Sequence, residues 1–149
     1  MPDSSRSFAP ATDRRSYPLW AQDTIRYRDL DRQDHVNNAV YATFFETGRV
    51  KYFRDAALGL LADDETFVLA RIEIDFLAEL HFPGAVDIGV RILSVGRSSY
   101  RMGEAIFLGE RCVATAEAVM AMLDAHSRKA IALTPRVTEW LAETQARQP

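Results

Sequence analysis

Between Asp29 and Asn38 the chain crowds three carboxylates (Asp29, Asp31, Asp34), one histidine (His35) and two asparagines (Asn37, Asn38) into ten consecutive residues. Aspartate and asparagine are common in turns because they bond back to nearby backbone, and capping a following helix accounts for part of the cluster. The remainder has a chemical reading. The first amides of a helix lack intrahelical acceptors and lie at its positive pole, so they suit a carbonyl oxygen that gains negative charge under attack. A carboxylate in the preceding loop, within reach of the same carbon, can take a proton from water or attack directly. Acyl transfer is the reaction class this pattern points to.

Such residues need elements to hold them. Val40, Tyr41, Phe44, Phe45, Gly48, Tyr52 and Ala56 share one arc at about 100° per residue, which predicts a long helix over 38–60, capped by Asn37 or Asn38 and stopped at Gly59. Lys51 and Asp55 intrude on that arc, so its C-terminal half is expected to be more exposed. Upstream, Ile25, Tyr27 and Asp29 alternate with Arg26 and Arg28, predicting a first strand over 23–30. Downstream, period-two alternation predicts strands over 67–77, 85–93, 100–108 and 111–124, with Pro83-Gly84 and Gly109-Glu110 as turns of a meander. In the last of these Cys112, Ala114, Ala116, Ala118, Met120 and Met122 share one parity, the mark of a close-packed neighbour. Thr134-Pro135 opens a short helix through Trp140 and Leu141.

The order is α+β: a five-stranded, mainly antiparallel sheet with one long helix and a short C-terminal helix. One helix covers only one face of such a sheet and leaves two edge strands, so pairing of two sheets in at least a homodimer is expected. Residues 1–20 mix Ser, Pro, Arg and Ala without an apolar period and are expected to form a mobile or loosely docked arm, with 21–149 as a single domain.

The segment D-R-Q-D-H-V-N-N-A-V-Y, Asp31 to Tyr41, resembles the D-x-x-G/Q-H-V-N-N-A-x-Y signature of hotdog-fold acyl-CoA thioesterases of the 4-hydroxybenzoyl-CoA thioesterase-like group. The likeness continues through Phe44-Phe45-Glu46 and Arg49. It implies an antiparallel sheet wrapped around a central helix, dimers or tetramers, and hydrolysis of an acyl-CoA substrate. By that resemblance Asp31 is the catalytic carboxylate and the backbone N–H of Asn38 polarises the thioester carbonyl. His35 and Asn37 shape the site, His35 by hydrogen bonding within the loop. Arg97-Ser98-Ser99-Tyr100 resembles the segment that helps hold the phosphates of coenzyme A, often across a subunit interface, and Arg128 with Lys129 forms a second basic cluster. Asp34 stands where the family has Gly or Gln, adding a negative charge beside the site.

Other classes fit less well. With 18 basic and 21 acidic residues the chain carries a net charge of −3, which gives no general attraction to nucleic acid or a membrane surface. The N-terminus lacks a signal-peptide apolar run and no stretch reaches a membrane span; with its single cysteine, Cys112, the chain reads as cytoplasmic. No cofactor is expected, coenzyme A being part of the substrate. Asp29, Asp31, Asp34 and His35 could be taken as metal ligands, yet a calcium-loop template fails because its glycine is Asp34 and its final glutamate is Val40; no metal is expected. Gly96-Arg97-Ser98-Ser99-Tyr100 misses a nucleophile elbow and precedes a strand. Phe44, Phe45 and Tyr52 are core by spacing, with one available to an acyl pocket; His81 reads as a strand-end surface residue and His126 as a turn residue. Two alternatives stay open: a hydratase or dehydratase of the same fold, and an acyl-CoA-binding module without turnover.

Overall fold

The computed structural model describes residues 10–56 and 59–149. Seven main elements follow in the order β1 (Leu19–Ile25), α1 (Asn38–Asp55), β2 (Glu65–Phe76), β3 (Gly84–Val95), β4 (Ser99–Leu108), β5 (Arg111–Asp124) and α2 (Pro135–Ala146). The strands form one sheet in the order β1-β3-β4-β5-β2, antiparallel at every pairing. This is the expected α+β class, with a five-stranded sheet around α1 and a short C-terminal helix.

Helix α1 lies on one face of the sheet through the arc read from its sequence. Tyr41, Phe44, Phe45, Gly48 and Tyr52 are buried, and the side chains of Val86, Ile88, Val90 and Ile92 on β3 meet them in the same core. Gly48 permits the close approach: a Cβ there would stand 2.7 Å from Ile88 Cγ2. On β5, Ala114, Ala116, Ala118 and Met122 are buried as their shared parity requires. Toward its C-terminus α1 is more exposed, with Lys51 and Asp55 paired one turn apart on the surface. There α2 covers its inner side, Tyr52 stacking on Trp140 at 4.3 Å and sharing a 2.6 Å hydrogen bond with Thr144.

Several boundaries differ from the sequence reading. The first strand is β1 at Leu19–Ile25, displaced toward the N-terminus; residues Tyr27–Asp29 form a single 3-10 turn, because the Asp29 carboxylate accepts the Arg26 N–H at 2.7 Å and curls the chain. Part of the segment expected as an arm is therefore structural. Tyr17 is buried on the sheet face opposite α1, against Trp20 and Phe107, with the Arg14 guanidinium 4.3 Å over the Trp20 ring. Residues 1–9 lie outside the described residues.

Helix α1 ends at Asp55, short of Leu60, and Gly59 at φ 89° belongs to the loop beyond it. Strands β2 and β3 are not joined as a hairpin: β2 pairs with β5 at the edge, and the segment through Pro83 crosses the end of the sheet to reach β3. Within β2 a bulge between Leu69 and Arg71 switches the inward parity, so Phe67 precedes it on the core side and Ile72 and Ile74 follow it.

Candidate active site

The loop before α1 is built by backbone pairing. Leu30 and Val36 form an antiparallel bridge, the Asp31 N–H donates to the His35 carbonyl at 2.8 Å, and the Asn37 N–H donates to the Asp29 carbonyl at 2.8 Å. The Val36 N–H reaches the Leu80 carbonyl at 2.8 Å, fastening the loop to the β2–β3 connection. At the loop's tip Asp34 has φ 60°, a conformation natural to Gly and tolerated by Asp. The Asp34 side chain is exposed. Asp29 has a different task from its neighbours: it is buried and caps the preceding turn.

Asp31 is half-buried. Its Oδ1 accepts the Gln33 N–H at 2.8 Å and the His35 N–H at 3.4 Å, which orients the carboxylate; Oδ2 has no partner among the described residues. At the helix pole Asn37 is the N-cap, its side chain accepting the Ala39 N–H at 2.9 Å, while its carbonyl accepts the Val40 N–H at 2.9 Å. The Asn38 N–H, first in the helix, meets no acceptor among the described residues.

Asp31 and Asn38 line the same cleft of about 360 Å³, with His35, Tyr41, Phe76 and Glu79 among its other walls. Tyr41 is fixed by its hydroxyl, which donates to the Ala78 carbonyl at 3.0 Å, and by an edge-on contact with Phe76. His35 reaches across the cleft wall, its Nε2 3.3 Å from Glu79 Oε2. A residue with an oriented carboxylate and a residue with an open helix-pole amide thus line one space.

The other candidate residues lie elsewhere. Arg97, Ser98 and Ser99 form the β3–β4 turn, in which the Gly96 N–H bonds the Ser99 carbonyl, and the carbonyls of Ser98 and Arg97 accept from Met122 and Leu133. By register Ser99 aligns with Ala121 and Val68, whereas Phe76 aligns with Ala114 and Ile106. At ~3.3 Å per residue the turn stands about 25 Å along the sheet from the cleft end. Arg128 and Lys129, in the turn after β5, belong to that far end as well. It also carries an apolar groove of about 280 Å³ lined by Val50, Phe53, Phe67, Leu69, Tyr100 and Met120. Phe44, Phe45 and Tyr52 are core residues and line neither this groove nor the cleft.

One charged pair escaped the sequence reading. Glu104 on β4 is fully buried under α1, where its Oε2 accepts from Arg49 Nη1 at 2.8 Å and its Oε1 has no partner. Burial pushes the carboxyl up to about 7, Arg49 pulling it back. The signal was present: Glu104 shares the parity of the apolar Met102 and Ile106, and Arg49 falls beside Gly48 on the buried side of the helix.

Comparison with known proteins places the chain in a family. A solved thioesterase from Thermus thermophilus, complexed with coenzyme A and Zn, is 30% identical, with 90% of this chain and 98% of that one covered at a TM-score of 0.79. The PA5185 protein of Pseudomonas aeruginosa is 26% identical over 89% of this chain and 95% of its own, at a TM-score of 0.80. The uncharacterized protein YsmA of Bacillus subtilis is 27% identical over 135 residues, covering 87% of this chain and 89% of that one. Residues 25–141, from the end of β1 into α2, match the family model of the thioesterase-like superfamily, and the chain belongs to that superfamily.

Proposed function

We propose that this protein hydrolyses an acyl-CoA thioester to a free acid and coenzyme A. The observation that carries the reading is the shared cleft: Asp31, whose carboxylate has one oxygen held by backbone N–H groups and the other open, lines the same space as Asn38, whose N–H meets no acceptor among the described residues. In this reading the thioester carbonyl oxygen lies at the Asn38 N–H, which stabilises the charge of the tetrahedral intermediate. Asp31 either takes a proton from the attacking water or attacks the carbonyl carbon to form an anhydride that water then opens. Coenzyme A departs as the thiolate. A single turnover in ¹⁸O-water that leaves label in the Asp31 carboxylate identifies the nucleophilic route with water opening the anhydride at Asp31, because general-base catalysis places the label in the free acid alone. His35 and Asn37 shape the site by holding the loop and capping the helix.

Arg97, with Ser98 and Ser99, binds the phosphates of coenzyme A. Their distance from the cleft of the same chain favours a site composed of two protomers, one giving Asp31 and Asn38 and the other its Arg97 turn. A homodimer, alone or within a homotetramer, supplies that arrangement. The coenzyme A held by the Thermus thioesterase supports the ligand class. The test is release of thiol from a panel of acyl-CoAs. Asp31→Asn is expected to fold normally and to lower turnover by about 10²- to 10⁴-fold; full activity in that variant rejects the assignment, and tight coenzyme A binding by the wild type without thiol release favours a binding module.

A further inference from the structure

Beside the cleft, three side chains from two separate segments converge. His35 comes from the loop before α1, while Glu79 and His81 come from the β2–β3 connection. The Val36 N–H bond to the Leu80 carbonyl, 2.8 Å, holds the segments in register so that position 35 faces positions 79 and 81. Both imidazoles approach the same carboxylate oxygen, His35 Nε2 at 3.3 Å and His81 Nε2 at 3.7 Å from Glu79 Oε2, and one ligand atom from each of the three residues lies within 4.8 Å of the others. A tetrahedral ion with bonds of about 2.1 Å sets neighbouring ligand atoms about 3.4 Å apart, close to the 3.3 and 3.7 Å between the imidazoles and Glu79.

The orientation of His81 adds an independent argument. Its Nδ1 lies 3.4 Å from the Asp34 carbonyl. A carbonyl only accepts, so this contact is a hydrogen bond when Nδ1 carries the proton, which turns the Nε2 lone pair toward Glu79. A backbone carbonyl behind a ligand histidine is the usual device that fixes its tautomer at metal sites. The side chains are 29%, 63% and 60% exposed for His35, Glu79 and His81, so an ion can enter from solvent and keep a water as its fourth ligand.

We propose that His35, Glu79 and His81 bind one divalent cation of the zinc type, two imidazoles and a carboxylate being the donor set such an ion prefers. The ion ties the pre-helix loop to the β2–β3 connection and so braces the wall of the cleft. This holds whatever substrate the cleft accepts, since the test needs none. The full chain is titrated with Zn²⁺ alone by calorimetry, and its thermal midpoint is followed in parallel. The expected result is one ion per chain and a raised Tm, with affinity lowered about tenfold or more in His81→Ala and in Glu79→Gln. His126→Ala, a turn histidine outside the cluster, is expected to bind as the wild type does. Absence of binding by the wild type, or equal affinity in His81→Ala and Glu79→Gln to that of the wild type, overturns the proposal.

Discussion

The two ends of the sheet present opposite kinds of chemistry. At the cleft end side chains bond backbone: Asp31 and Asn37 accept from nearby N–H groups, and what stays open is the second oxygen of Asp31 together with a main-chain donor, the amide of Asn38. At the far end the main chain of the 96–99 turn is bonded to Met122 and Leu133, and what stays open is a side chain, the exposed Arg97. A main-chain donor cannot be read from the identity of its residue, whereas a side-chain donor can be removed without touching the fold. The two ends therefore respond to different substitutions. Along the sheet of one chain they stand about 25 Å apart.

The largest effect belongs to Asp31→Asn, which removes the carboxylate chemistry altogether. At the far end Arg97→Ala is expected to raise KM for acyl-CoA about tenfold through loss of charge-assisted bonds, with kcat near the wild-type value. Mixing these two variant chains sharpens the comparison. If each site draws Asp31 from one protomer and Arg97 from the other, mixed dimers contain one intact site, and activity measured at low acyl-CoA rises above that of either variant alone. A mixture that only averages its parents assigns both residues to the same chain's site.

Legibility in the sequence followed the same division. Periodicity announced α1, the inward face of β3 and the alanine face of β5, because each has one buried side and a regular repeat. It misplaced the first strand, since Asp29 supports a turn by bonding the Arg26 N–H, an event with no periodic trace. The neighbour of β2 was likewise hidden: alternation locates strands and says nothing of which strands pair, so the crossover from β2 to β3 passed for a hairpin. Of the site, the loop from Asp31 to Asn38 was visible as a cluster of residue types. Glu79 and His81 were not, because they join His35 only through a backbone bond between Val36 and Leu80, far apart in the chain.

Two smaller effects probe what holds the cleft end in place. Folding raises the Glu104 carboxyl from 4.5 to about 7 through burial, opposed by Arg49. Because the folded state retains the proton over that interval, stability linked to Glu104 is complete below pH ~4.5 and declines as pH rises toward ~7. Denaturant melts at pH ~4.5 and pH ~8 are expected to show the wild type losing about 1–3 kcal/mol relative to Glu104→Gln across this range; a constant difference between the two proteins contradicts the buried titration. Asn37→Ala removes the helix cap and is expected to cost about 1 kcal/mol in the same assay.

The open amide itself can be tested directly by exchanging residue 38. Proline is well tolerated at the first position of a helix, and Asn37, at φ −58° and ψ 139°, already has the extended conformation that a following proline favours. Asn38→Pro thus deletes the N–H with the helix preserved, while Asn38→Ala deletes the side chain and keeps the N–H. Thiol release from an acyl-CoA is expected to fall about 10²- to 10³-fold in kcat for Asn38→Pro and to stay near wild type for Asn38→Ala; equal activities in the two variants would contradict the role of the helix pole.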